Sequence, residues 1–195
     1  MIKVLLFDID GVTSTYKRLT YLNYLSKLTG KPRKELIKIG SPLIQRFDAG
    51  ELTLQQFEKE AARLLGVRGE EVRWRDFYAP DTALDKRVVA LIRELHKKYR
   101  TACLTNMDRS RYLYTKRFLD KVPFDQRFIS SYLGAAKPNL KIYRKVLGKL
   151  KVKPSEVIFV DDNETNIIAA KGLGIKAVLF RGGDRLKKDL LKSLS

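Results

Sequence analysis

Four short polar groups in this chain combine carboxylates, a hydroxyl and a lysine: Asp8-Ile-Asp10-Gly11, Thr105-Asn106, Lys137-Pro138 and Asp161-Asp162. Singly, each has an ordinary explanation. An Asp-x-Asp before glycine closes many strands, Thr-Asn is a common turn, and Asp161-Asp162-Asn163 would serve as a helix N-cap. Brought into one pocket they are no longer ordinary. Two carboxylates about 4 Å apart at an effective dielectric of 20 repel by about 4 kcal/mol, so a cation or a proton has to offset them. An oxygen-only donor set favours Mg²⁺. One carboxylate could then attack phosphorus while a second moves protons. The Thr105 hydroxyl, nearby backbone N–H groups and Lys137 would hold phosphoryl oxygens as charge shifts in the transition state.

The elements that must position these groups are legible as four nearly continuous apolar runs: Ile2–Phe7, Ala102–Leu104, Val157–Val160 and Ala177–Phe180, with a weaker one at Arg127–Ser130. Unbroken apolar runs of this length fit strands covered on both faces of a parallel sheet. Helical periods lie between them. Val88, Val89, Leu91, Ile92 and Leu95 mark one, and Ile142, Tyr143, Val146, Leu147 and Leu150 mark another, opened by Pro138-Asn139. The alternation predicts an α/β fold, a doubly wound, Rossmann-like parallel sheet. Ligands of such sheets bind beyond the carboxyl ends of the strands. Each of the four polar groups falls just after a strand or at the start of the following helix, so the topology gathers them at one edge.

The first connection breaks the rhythm. Strand one ends near Asp8, while the next core-like helix begins around Asp81 to Leu84. Loops in α/β units run about 2–6 residues, so an interval of roughly 70 must carry its own structure. Leu19, Leu22, Leu25 and Leu28 recur on one helical face. Thr53-Leu-Gln-Gln56 reads as a capping box ahead of Phe57, Ala61, Leu64 and Leu65, and Gly66 suits a helix end. Residues 14–80 are therefore read as an inserted helical domain, with the core at 1–13 and 81–195.

Composition narrows the function class. At 195 residues the chain needs no staples to fold. Its single cysteine, Cys103, lies in an apolar run and is expected to be buried and inert. The lone histidine, His96, sits among helix-surface charges, so no zinc site is expected. The N-terminal apolar run is too short for a signal peptide or a span, and no later stretch approaches 18 apolar residues. A cytoplasmic protein with no membrane partner is expected. The net charge of +18 raises the question of nucleic acid. Lys and Arg are scattered through every segment with acidic neighbours and form no dense run, which favours a solvated surface over a specific nucleic-acid footprint. Abundant Lys, Arg and Glu with little Cys and Met resembles a hyperthermophile's composition. Gly172-Leu-Gly174 matches a dinucleotide fingerprint in letters only, since it ends a helix and precedes a strand. No Walker A sequence is present.

The ordered set Asp8-x-Asp10-Gly11-Val12, Leu104-Thr105-Asn106, Lys137-Pro138 and Asp161-Asp162 resembles the haloacid dehalogenase (HAD) superfamily across nearly the whole chain. The insert looks like that superfamily's helical cap of the first type, and Phe47–Phe57 is similar to cap segments of its sugar-phosphate phosphatase and epoxide-hydrolase-like branch. The resemblance implies an Mg²⁺-dependent hydrolase acting on a small phosphorylated metabolite, a sugar phosphate or similar, through an aspartyl-phosphate. It implies Asp8 as nucleophile and Asp10 as general acid and base. Thr105, the Asn106 backbone and Lys137 would hold the phosphate. The metal would lie between Asp8, the Asp10 backbone carbonyl and Asp162, with Asp161 a direct or outer ligand. Asn166 is placed to orient Lys137. The acid at position 10 separates this pattern from true dehalogenases. Thr13-Ser14 departs from relatives that carry an apolar residue followed by a variable linker. Tyr16, Lys17, Arg18 and Arg46 could face the cleft, although an exposed or packing role suits each one better. A phosphomutase shares every motif. A receiver domain uses similar groups in a different order, and a basic nucleic-acid-binding module on the same fold is a further alternative.

Overall fold

The computed structural model describes residues 1–15, 19–77 and 83–194. Five parallel strands form one sheet: β1 (Val4–Phe7), β2 (Arg100–Thr105), β3 (Gln126–Ile129), β4 (Val157–Asp161) and β5 (Lys176–Leu179), in the order β3-β2-β1-β4-β5. All five expected strands are present, with every end within two residues of the one read from the sequence. β1 is central, with Phe7 opposite Cys103 on one side and Val160 on the other. Because the strands are parallel, their carboxyl ends share one edge.

Successive residues of a strand face opposite ways, and each face of this sheet has its own cover. Val4 and Leu6 join Ile142, Tyr143 and Val146 of α7 (Leu140–Leu150) and Ile167 and Ala170 of α8 (Glu164–Gly172). Leu5 and Phe7 join Val88, Leu91 and Ile92 of α4 (Lys86–His96), together with Leu186 and Leu190 of α9 (Gly183–Leu194). Fully buried aliphatic side chains of this kind stabilise by about 1.5–3 kcal/mol each. A smaller cluster sets Cys103 against Ile9, Met107, Ile129 and Leu119 of α5 (Arg109–Leu119). Burial pushes the Cys103 thiol up to about 12, so it stays protonated and unreactive at neutral pH. His96 packs half-exposed with its Nδ1 2.9 Å from the Thr101 hydroxyl.

Between β1 and α4 the chain builds α1 (Leu19–Thr29), α2 (Arg33–Asp48) and α3 (Leu54–Leu65), followed by short 3₁₀ turns at Gly69–Glu71 and Trp74–Phe77. These helices enclose their own core of Leu25, Leu36, Leu43, Phe47, Phe57 and Trp74, with Phe47 and Phe57 stacked at 4.2 Å between ring centroids. The Thr53 capping box and the left-handed C-cap at Gly66 both form as the residues dictate. α2 runs through Gly40, Ser41 and Pro42. The Ser41 hydroxyl donates to the Ile37 carbonyl in the turn that Pro42 disrupts.

The insert joins the core at one small stitch. Ser14 bridges Leu84, Thr15 N–H donates to Ala83 O at 2.9 Å, and Asp85 N–H donates to Thr13 O at 2.9 Å. Asp85 then caps α4, which starts at Lys86. The helix start expected near Asp81 therefore lies later in the chain, because the stitch occupies 83–85. Residues 81 and 82, like Tyr16, Lys17 and Arg18, lie outside the described residues. Between β3 and α7, α6 (Ser130–Leu133) is a single turn closed by Gly134.

Candidate active site

β1 delivers Asp8 to the carboxyl edge. Its N–H continues the ladder to Val160 O at 2.8 Å, and its carbonyl accepts the Thr13 hydroxyl at 2.7 Å. The polar Thr13 thus closes the turn that holds Asp8. In the side chain, Oδ1 accepts the Ile9 N–H at 2.7 Å and the Lys137 ammonium at 2.8 Å. Oδ2 has no protein partner among the described residues. Asp8 is 7% exposed, and burial, reinforced by the Asp161 and Asp10 charges and opposed by Lys137, raises its carboxyl well above the ordinary range.

Lys137 is buried with all three ammonium hydrogens accounted for. Nζ lies 2.8 Å from Asp8 Oδ1, 2.7 Å from Asp161 Oδ2 and 3.0 Å from the Leu104 carbonyl. Burial alone would lower its pKa, but the Asp8 and Asp161 carboxylates outweigh it and hold the group above the ordinary lysine value. It is therefore a fixed cation. Asn106 clamps the backbone beneath it, donating through Nδ2 to Lys137 O and accepting Lys137 N–H, each at 2.8 Å.

Asp161 ends β4 fully buried. Oδ1 accepts Asn163 N–H at 2.8 Å and Asn166 Nδ2 at 3.0 Å, while Oδ2 accepts Lys137 Nζ and Asn166 Nδ2 at 3.1 Å. A carboxylate offers about four lone-pair sites, and these are taken. Asn166 thus reaches Lys137 only through Asp161. Asp162 is exposed, and desolvation followed by the Asp161 charge raises its carboxyl. Gly11, at φ +80°, lies under it. A Cβ there would fall 2.1 Å from Asp162 Oδ2, so glycine is required both for the turn and for the approach.

Oxygens of Asp8, Asp161 and Asp162 all lie within 4.8 Å of one another. Two of them are open to a ligand, the unpartnered oxygen of Asp8 and the solvent-facing Asp162, and with the buried Asp161 charge beside them they fit a small hard divalent cation such as Mg²⁺. The side chain of Asp10 is not in this cluster. Next to it, the Thr105 hydroxyl is 1% exposed yet has no hydrogen-bond partner among the described residues. A buried hydroxyl left so costs about 1–3 kcal/mol, a cost that an oxyanion ligand would remove.

Asp10 is where the site departs from the sequence reading. Arg111, on the first turn of α5, grips it with two bonds of 2.6 Å, NH1 to Oδ2 and NH2 to Oδ1. Asp108 caps α5 and accepts the Arg111 N–H at 3.0 Å, which fixes that turn. Arg111 is 2% exposed, the largest of the fully buried side chains. Nothing in the sequence separates it from the other members of a set of 40 Lys and Arg. The signal that could have found it is position, since it follows the Thr105-Asn106 group at the start of a helix.

The insert closes over this edge. Ser130 Oγ donates to Asp48 O at 2.5 Å and accepts Met107 N–H at 2.9 Å, and Trp74 Nε1 reaches Asp108 Oδ2 at 3.4 Å. Arg46 is a surface residue paired with Glu60 at 2.8 Å.

A family model described as haloacid dehalogenase-like hydrolase matches residues 2–174. The chain is 27% identical over 177 residues to the sesquiterpene phosphatase astK of Aspergillus oryzae, covering 89% of this chain and 87% of that protein. It is 27% identical over 203 residues to the D-ribitol-5-phosphate phosphatase of Bacteroides thetaiotaomicron, covering 97% of each. Against three other curated relatives the chain spans only 13%, 38% and 26% of their lengths. Among solved structures, a HAD family enzyme of Bacteroides thetaiotaomicron in complex with magnesium and inorganic phosphate superposes with a TM-score of 0.74 at 21% identity, over 94% of this chain and 96% of that one.

Proposed function

The chain belongs to the haloacid dehalogenase-like hydrolase family, and from that premise we propose that it hydrolyses small phosphate monoesters with Asp8 as nucleophile and Mg²⁺ as cofactor. The observation that carries this reading is the Asp8 carboxylate. One of its oxygens is locked by Lys137 and Ile9, the other is unpartnered, and the orphaned Thr105 hydroxyl stands at the end of the neighbouring strand. The relatives named as phosphatases support the class. The insert acts as the cap, and the core boundaries follow the stitch at 13–15 and 83–85.

In the first half-reaction Asp8 Oδ2 bonds to phosphorus as the bond from phosphorus to the ester oxygen breaks. The Asp10 carboxyl gives its proton to that departing oxygen. In the second, Asp10 takes a proton from water as the water oxygen bonds to phosphorus and the bond to Asp8 breaks, freeing inorganic phosphate. Thr105 and the Asn106 backbone hold the phosphoryl oxygens throughout, and Lys137, its hydrogens already taken, supplies a fixed positive charge beside them. Bound Mg²⁺, held by Asp8, the Asp10 backbone carbonyl and Asp162, would supply positive charge to those oxygens. Asp161 holds Lys137, and its filled lone pairs argue against direct metal contact. The test is phosphate release from a panel of monoesters. Activity is expected with Mg²⁺ and abolished by EDTA or by Asp8→Asn. Full turnover in either condition overturns the proposal.

A further inference from the structure

Between the insert and the core lies a cavity of about 390 Å³. Its core side is Asn106, Lys137 and Pro138, the clamp that carries the phosphate-facing lysine, with Asn163 and Thr165 at the start of α8. Its insert side is mainly hydrocarbon, Leu22, Leu25, Leu36, Ile37, Ile44 and Leu65 among others, with Ser41, Gln45 and Asp48 as polar members. Ile37 remains 48% exposed, apolar surface that this cavity leaves in contact with water.

Charge is the informative property. The protein carries 40 Lys and Arg, yet the only charged side chains among the described lining residues are Lys137 and Asp48. Lys137 is committed to Asp8 and Asp161. A second phosphate or a carboxylate on the substrate would find no cation among the described lining residues of the insert and would face Asp48. A sugar or polyol could pair some hydroxyls with Ser41, Gln45 or Asp48, but each one set against the leucine and isoleucine that make up most of the wall would be left unpaired at a cost of about 1–3 kcal/mol. A hydrocarbon loses nothing there. At roughly 30 Å³ per water-sized group, the cavity holds about a dozen carbon-sized groups.

Building on the phosphatase reading above, we propose that this cavity receives the organic part of the substrate, and that the substrate class is the monophosphate of an apolar alcohol of medium length rather than a sugar phosphate. The phosphoryl group lies at Asp8 and Thr105, and the hydrocarbon extends past Asn106 and Pro138 along α2. Gly40 marks the wall. A Cβ built there meets only Ile44 Cδ1, at 3.8 Å, so a longer side chain at this position would grow into cavity space.

The experiment compares kcat/KM with Mg²⁺ for acetyl phosphate, for a sugar monophosphate and for unbranched alkyl monophosphates of increasing length kept below micelle formation. Each methylene buried should raise kcat/KM by up to about fourfold, giving at least about a hundredfold between ethyl and decyl phosphate and a plateau near a dozen carbons. Gly40→Leu should move the plateau to shorter chains, and Ile37→Asp should lower the decyl phosphate value about tenfold or more, with both leaving acetyl phosphate turnover unchanged. Ile37 is half exposed and Gly40 is helical, so neither change threatens the fold. If acetyl phosphate is hydrolysed but chain length has no effect, the sugar phosphate is preferred, or Gly40→Leu leaves the length profile unmoved, the assignment is overturned while the phosphatase reading stands. Loss of turnover on every ester overturns both.

Discussion

Arg111 holds both carboxylate oxygens of Asp10 at 2.6 Å from a helix that begins only three residues after the Thr105-Asn106 pair. A forked guanidinium fixes the plane of a carboxylate as well as its position. On the proposed mechanism, Asp10 enters the reaction already aimed and has to give up one of the two bonds to hand over a proton. Arg111 is then a positioning residue, acting through Asp10.

Arg111→Lys keeps the charge and loses the fork. Turnover of an alkyl phosphate should fall about 10²-fold, the scale of a misplaced catalytic group. A substrate with an acidic leaving group, such as p-nitrophenyl phosphate, departs without help and should lose much less. Comparing kcat on the two esters checks this. An equal loss on both would show that Arg111 serves only the fold.

Thr105→Val removes a hydroxyl that the ligand-free protein does not use. Stability should be unchanged or rise by about 1 kcal/mol, while inhibition by inorganic phosphate weakens about tenfold and kcat/KM drops with it. Thr105→Ser should restore phosphate binding. Thermal unfolding and phosphate inhibition constants, measured side by side, separate the two effects.

The raised Asp8 pKa makes a statement about stability. The folded protein holds that proton to higher pH than the unfolded chain does, so stability from this group is present below the unfolded pKa near 3.8 and is lost as pH rises through the folded value. Asp8→Asn has no such loss. Its melting temperature should therefore climb above that of the wild type as pH rises from about 4 to 8, in protein stripped of metal. Added Mg²⁺ should narrow the gap by offsetting the ionised carboxylates. Melting curves across pH with EDTA and with Mg²⁺ decide it, and a constant gap would contradict the assignment.

Gly11→Ala places a methyl group where Asp162 Oδ2 lies and demands a backbone angle that alanine resists. The variant should lose Mg²⁺ affinity by about 10–100-fold, the usual effect of disturbing the support of a ligand, as read by Mg²⁺ titration of activity. Asp162→Ala should show a similar loss, whereas Asp161→Ala should chiefly impair Lys137 and hence kcat.

The sheet was legible because burial on both faces writes each central strand as a run of apolar residues, as in Val157–Val160. β3 gave a weak signal because Gln126 and Arg127 open an edge strand, where full burial is not demanded. The polar groups of the site were legible because parallel strands force their carboxyl ends together. Their partners were not, because Arg111 and Asp48 come to the site by packing and carry no local signature. α2 was obscured by Gly40-Ser41-Pro42, which locally argues for a break. There, packing of Leu36, Leu43 and Phe47 overrides the local preference.

The chain leaves the core and returns to it through one stitch, Thr13–Thr15 against Ala83–Asp85. Asp8, Thr105, Lys137 and Asp161 all belong to the sheet side of that stitch, while Leu36, Ile37, Gly40 and Ile44 belong to the other. Beyond the stitch the insert touches the core at few further points, among them Asp48 on Ser130 and Trp74 on Asp108. On the proposed function, a different helical module spliced between positions 15 and 83 would have to reproduce the stitch's pair of backbone bonds and the supports at Ser130 and Asp108, so the same engine could be fitted with a new mouth.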